Sequence, residues 1–245
     1  MSSQSTQLYG CDGTLSVWDP AINNPPSDGL DHSILQTWVQ SGSGKTRQSV
    51  EMGWTVDHPL NGDTVPHVFT YYTNNGYAKN GYNQSVAGWK QISNSVFPGI
   101  RINGSSTQGG TQVGISIKYS HWFGGWWCVV QGVWMGYYPA TLFSGGLAKS
   151  GDWVGFGGEV ATDLANPAST KDQMGSGRQA ADGWLKSAVL INLRTQSDID
   201  GTMVNNNGVA ETDSPAGVAN PYTVEMEMNS GTSWGSYCWV GGPGK

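Results

Sequence analysis

Charge is scarce in this sequence. Asp, Glu, Lys and Arg make up 12% of its 245 residues, roughly half the ~25% of an ordinary globular domain. The formal net charge is −6 and no basic cluster occurs. Phosphate backbones require concentrated Lys and Arg, so nucleic acid is excluded as a partner. Long apolar runs are missing too: none approaches the ~20 residues that span a bilayer, and no membrane partner is expected. Three cysteines, Cys11, Cys128 and Cys238, are too few and too scattered for a disulfide framework or a cysteine zinc site. Whether Cys11 and Cys238 tie the two ends together stays open, because pairing needs a geometry that sequence does not supply. Cys128, inside an aromatic run, reads as a buried free thiol. His32, His58, His67 and His121 have no metal-ligand spacing, and no metal or other cofactor is expected.

What is present in quantity is glycine and aromatic surface. Thirty-six glycines are about double the usual ~7% share, and 12 Trp, 10 Tyr and 5 Phe are too much surface to bury for a disordered chain. The apolar pattern alternates. Val50, Met52, Trp54 and Val56 share one parity, as do Val113, Ile115, Ile117 and Tyr119, and again Tyr222, Val224, Met226 and Met228. Period two marks strands with one face on a core. Turn clusters separate them, at Asn61-Gly62-Asp63, Asn74-Asn75-Gly76, Asn103-Gly104-Ser105 and the polar stretch 205–221. The fold expected is all-β, an antiparallel β-sandwich of concanavalin or jelly-roll type with an open substrate groove. Residues 1–30 read as an irregular segment packed on a single domain of residues 31–245. One short helix is expected over residues 30–40, from Leu30, Ile34, Leu35 and Trp38, with Ser27 or Asp28 as its cap. Asn83-Gln-Ser85 and Asn103-Gly-Ser105 fit the glycosylation triplet, a pattern that chance produces easily.

Parity also places two carboxylates. If Val50, Met52, Trp54 and Val56 face the core, Glu51 points the other way. In Val154-Gly-Phe-Gly-Gly-Glu-Val160, Glu159 shares the outward parity of Gly155 and Gly157, which leaves room for another backbone to approach. The plain reading of such a residue is a solvated surface charge, and Glu225 and Glu227 are read that way.

The residues around both glutamates follow a recognisable order. Gln36-Thr-Trp38, Glu51-Met-Gly-Trp-Thr-Val56, Leu60-Asn-Gly-Asp63, Pro66-His-Val-Phe-Thr-Tyr-Tyr-Thr73 and Gly76-Tyr77 come first. Trp126-Trp127, Gly136-Tyr-Tyr-Pro139 with Leu142-Phe143, Gly157-Gly-Glu-Val160, Met174-Gly-Ser-Gly177 and Gly241-Gly-Pro-Gly244 follow. From about residue 30 to the end the chain resembles the neprosin-domain family of glutamic peptidases. The resemblance implies a β-sandwich peptidase active in acid, cleaving on the carboxyl side of proline, with Glu51 and Glu159 as a catalytic dyad. It departs from the plant pattern at Gly81-Tyr-Asn-Gln-Ser-Val-Ala-Gly-Trp89, where a cysteine pair is missing. Plant members carry an N-terminal propeptide, which the stretch before Cys11 is too short to hold. The implied substrate is a proline-rich polypeptide, the implied location extracellular with the signal peptide removed, and a monomer is expected.

Amide hydrolysis needs an activated water and a proton for the leaving nitrogen. Two carboxylates sharing a site cannot both ionise cheaply, so one holds a proton and acts as acid while the other acts as base. Which of Glu51 and Glu159 plays which part stays open. Trp54, Tyr71, Tyr72, Trp127 and Tyr137 are candidate walls for a proline pocket, core packing being the competing reading of each. Candidate oxyanion donors are Tyr71, Tyr72 and Asn83. Rival readings are a β-sandwich glycoside hydrolase, which also pairs carboxylates, and a non-catalytic binding or toxin-like module. Ser41-Gly-Ser-Gly-Lys-Thr46 fails the phosphate-loop pattern because Val39 stands where its first glycine belongs. Gly175-Ser-Gly-Arg-Gln-Ala180 fits a dinucleotide fingerprint without the strand and helix it requires.

Overall fold

The computed structural model describes residues 2–22, 31–162, 170–211 and 219–243. Two antiparallel sheets pack face to face. The first has six strands in the order β1 (Ser2–Leu8), β11 (Gly151–Ala161), β3 (His32–Ser41), β4 (Gln48–Val56), β5 (His67–Asn74) and β6 (Lys79–Tyr82). The second runs β14 (Thr223–Glu227), β15 (Tyr237–Gly241), β12 (Ala188–Gln196), β2 (Gly10–Ser16), β8 (Gly114–Trp122), β9 (Gly125–Val130), β10 (Val133–Pro139) and β7 (Lys90–Gln91), with β13 (Val204–Asn205) beside β12. This is the antiparallel sandwich that alternating strands and glycine-rich turns predict. The tight β5–β6 turn shows why those turn residues are there: Asn75 and Gly76 both take left-handed backbone, φ 53° and 59°, which Asn and Gly adopt at least strain.

The core lies between the sheets. Leu35, Val39, Val50, Met52, Trp54, Val154 and Phe156 project from the first, and Leu15, Ile117, Tyr119, Trp126 and Leu190 from the second. Two polar side chains in this interior find partners across the gap. The Trp54 indole donates to the Ser16 carbonyl at 2.9 Å, and the Tyr138 hydroxyl donates to Thr70 Oγ1 at 2.9 Å. These bonds satisfy groups that would be costly to bury alone.

Two sequence expectations are corrected, and the open question of a Cys11–Cys238 bridge is answered. The N-terminal segment is not irregular: β1 forms an edge of the first sheet and β2 lies inside the second. Glycines at 10 and 13 dilute the alternation of Cys11 and Leu15, so the strand signal is faint. Residues 32–41 form a strand rather than a helix, and the expected cap residues Ser27 and Asp28 lie outside the described residues. β3 is central, and Ile34 and Gln36 on its outward side are nearly as buried as Leu35 and Val39 on its core side, which blurs the alternation that separates a strand from a helix. Cys11, Cys128 and Cys238 are all free and buried, so no bridge joins Cys11 to Cys238.

Candidate active site

The outward face of the six-stranded sheet gathers both glutamates. Strand pairing sets one row across it, in which Gly155, Trp38, Glu51, Tyr71 and Tyr82 stand side by side on β11, β3, β4, β5 and β6. Glu159 lies on the same face, four residues along β11 from Gly155 and two strands from β4. Midway between them is Gln36, which faces Gly157 on one side and Gly53 on the other. The floor around Gln36 is therefore backbone. A Cβ added at Gly157 would meet nothing within 4 Å, so the space above it is open.

Aromatic rings form the walls beside Glu51. Tyr71 and Tyr82 pack at 4.6 Å between ring centroids on one side, and Trp38 and Trp153 at 5.2 Å on the other. The Trp38 and Trp153 rings close over Gly155, where a Cβ would come within 2.4 Å of each.

The two carboxylates sit in different surroundings. Glu51 is half-buried. Burial pushes its carboxyl up to about 7; the Ser49 hydroxyl opposes this, the charge on Glu159 adds to it, and Gln36 and Arg47 favour the ionised form. Ser49 Oγ donates to Glu51 Oε1 at 2.7 Å. Glu159 is open to solvent, its side chain 55% exposed, with a His32 ring nitrogen 3.5 Å from Oε1. Burial, then the two glutamates, also raise the Tyr71 and Tyr82 phenols, so both hydroxyls stay protonated and can donate. Gln36 is 3% exposed, and its side-chain oxygen is buried without a protein partner. A buried polar atom in that state calls for a water or a ligand.

Of the expected wall residues, only Tyr71 joins this face. Trp54 and Tyr72 point into the core, as the parity of their strands requires; the Tyr72 hydroxyl donates to the Leu142 carbonyl at 2.8 Å. Trp127 and Tyr137 stack on each other on the outer face of the opposite sheet. Asn83 is packed against the β5 backbone rather than presented as an oxyanion donor. It is buried at φ 53°, and its side-chain oxygen accepts from the Thr70 N–H at 3.0 Å. The same burial closes that glycosylation triplet. Gln36, Trp38, Tyr82, Trp153 and His32 belong to the site and were not among the expected site residues. For Gln36 the signal was a polar residue inside the apolar run Ile34–Val39.

Among the described residues no group of three or more His, Cys, Asp or Glu is arranged to hold a metal. The chemistry on offer is a buried carboxyl with raised proton affinity at Glu51, a second, solvent-open carboxyl at Glu159, amide and phenol donors between and beside them, and an open space over Gly157.

Comparison with known proteins adds a family. The family model described as Neprosin matches residues 29–243. Among solved structures, CG-16, a homodimeric agglutinin from chicken liver, is similar at 10% sequence identity and a TM-score of 0.33, covering 66% of this chain and 96% of its own.

Proposed function

This chain belongs to the neprosin family, which carries a peptidase-type function, and on that premise we propose that it is a glutamic endopeptidase in which Glu51 and Glu159 act as a general acid–base pair. The observation that carries the proposal is the shared face: two carboxylates flank the Gln36 amide over glycine backbone, and one of them is buried enough to retain its proton. Glu51, with its carboxyl raised to about 7, is the acid that polarises the carbonyl and protonates the leaving nitrogen. Glu159, exposed and beside His32, is the base that takes a proton from the attacking water. The gap over Gly157 takes the scissile peptide together with that water. The Gln36 amide and the Tyr71 and Tyr82 hydroxyls are the available donors to the developing oxyanion.

The proposed substrate is a proline-containing polypeptide cut after proline. Trp38, Trp153, Tyr71 and Tyr82 are flat, apolar and next to Glu51, and such walls suit a pyrrolidine ring. Because the mechanism needs a protonated Glu51, activity is high in acid and falls as pH rises through about 7. An extracellular, mildly acidic setting fits that profile.

The test is digestion of a defined protein at pH 4 with the cut sites mapped by mass spectrometry. Cleavage after proline is expected, and Glu51→Gln and Glu159→Gln should each lower turnover by about 10²–10⁴-fold. Near-normal activity in either variant excludes the dyad. Active variants with unchanged pH profiles would move the acid–base chemistry elsewhere.

A further inference from the structure

The outer face of the nine-stranded sheet, opposite the carboxylates, carries exposed aromatic rings at two ends of a polar hollow. At one end Trp127 stacks on Tyr137 at 4.4 Å and meets Trp134 at 5.5 Å and Trp122 at 5.9 Å. Trp122 and Trp134 are 46% and 40% exposed. At the other end Trp234 contacts Trp239 at 5.6 Å and Trp184 at 5.0 Å, and Trp184 is 51% exposed. Between them lies a cavity of about 250 Å³ whose polar lining is Asp12, Thr14, Ser116, Lys118, Asn192 and Arg194.

Strand pairing makes this one continuous surface. Arg194 faces Asp12, Asp12 faces Lys118, Lys118 faces Val129 and Val129 faces Trp134. On the other side the Asn192 N–H donates to the Trp234 carbonyl at 2.8 Å. From β15 to β10 the track crosses five strand spacings, about 24 Å at ~4.8 Å each. Exposed aromatic surface on this scale marks an interaction site rather than packing.

We propose that this track binds an uncharged polysaccharide. A pyranose ring has flat C–H faces that stack on indole and phenol rings, and hydroxyl edges that both donate and accept. The hollow offers both kinds of partner: Lys118 donates, the Asn192 amide and the Thr14 hydroxyl donate and accept, and Ser116 accepts while donating to Gln131 at 2.9 Å. Arg194 is held in place by Asp12 at 2.9 and 2.7 Å. A proline-rich peptide would match the rings but brings mostly carbonyl acceptors, leaving the Asn192 amide oxygen and the Thr14 and Ser116 lone pairs unserved. Charge points the same way. Asp12, Glu225 and Glu227 along the band are balanced by Arg194, Lys118 and Lys90, so a polyanion or polycation gains nothing there. The hollow is smaller than the ~300–1,000 Å³ of drug-sized pockets, a fit for one sugar unit of a longer chain.

The face is separate from Glu51 and Glu159, so binding does not depend on the proposed peptidase chemistry. The test is affinity electrophoresis of the full chain through native gels containing hydroxyethyl cellulose, galactomannan or mixed-linkage β-glucan, with polygalacturonate as the charged comparison. Retardation is expected in at least one uncharged gel and should persist in Glu51→Gln. Trp134→Ala and Trp234→Ala, each checked for a native melting transition, should weaken it roughly tenfold, and Trp134→Phe should restore most of it. No retardation by any uncharged polymer, equal or stronger retardation by polygalacturonate, or full binding by both Ala variants overturns the proposal. So does preferential binding of poly-L-proline that Trp134→Ala abolishes.

Discussion

Glu51 is held out of water by its neighbours, and the consequence reaches stability as well as chemistry. Its carboxyl, ordinarily near 4.5, is raised to about 7, chiefly by burial. Below pH 4.5 it is protonated in folded and unfolded chains alike, and burial carries no ionic penalty. Between pH 4.5 and 7 the unfolded chain loses the proton first, so the folded state binds more protons and stability falls with rising pH. Above pH 7 the full difference, on the order of 3 kcal/mol, is lost. Glu51→Gln, which cannot ionise, should therefore melt with wild type at pH 4 and several degrees above it at pH 8. Equal melting temperatures at pH 8 would mean that Glu51 ionises freely. Ser49 tunes the same proton, since its hydroxyl donates to the carboxylate at 2.7 Å. Ser49→Ala should shift the alkaline limb of the kcat/KM profile upward, by roughly one unit; an unmoved or lowered limb would remove Glu51 from the acid role.

At the scale of the strand, β11 shows how neighbouring glycines do different work. Gly157 opens the cleft, with nothing within 4 Å of an added Cβ, whereas Gly155 is a seat for the Trp38 and Trp153 rings at 2.4 Å. Gly157→Leu should leave the melting temperature nearly unchanged, because side chains suit strands better than glycine does. The same change should raise KM for peptides at least tenfold by filling the cleft. Gly155→Leu should destabilise the fold, displacing both indoles. If Gly157→Leu binds and cleaves peptides normally, substrate does not cross this floor. β3 illustrates what local pattern cannot say. Leu30, Ile34, Leu35 and Trp38 carry helical spacing, yet residues 32–41 are a strand because β4 and β11 flank them, with Leu35 and Val39 in the core and Gln36 and Trp38 in the cleft. That identity comes from tertiary neighbours.

Across the whole molecule, parity was legible and partnership was not. The outward turn of Glu51 and Glu159 follows from alternation within each strand, and the antiparallel sandwich follows from many such strands. Alternation alone does not reveal which sheet a strand joins. For that reason Trp127 and Tyr137, candidate walls of the cleft, lie on the face opposite the carboxylates, and Gln36, Trp38 and Trp153 emerge as site residues only once β3 and β11 are paired. Trp54 is the informative case, since its strand neighbour Glu51 faces the cleft while its own indole spans the core to the Ser16 carbonyl at 2.9 Å. Its side chain is fully buried, so it couples the sheets rather than touching substrate. Trp54→Phe removes ring volume and leaves that carbonyl without its donor, a loss of about 2–4 kcal/mol. The melting temperature should fall by roughly 5–10 °C, while KM for a proline peptide, measured well below the transition, stays at the wild-type value. A raised KM with unchanged melting would instead put Trp54 in the cleft and require the two sheets to pack with β4 reversed.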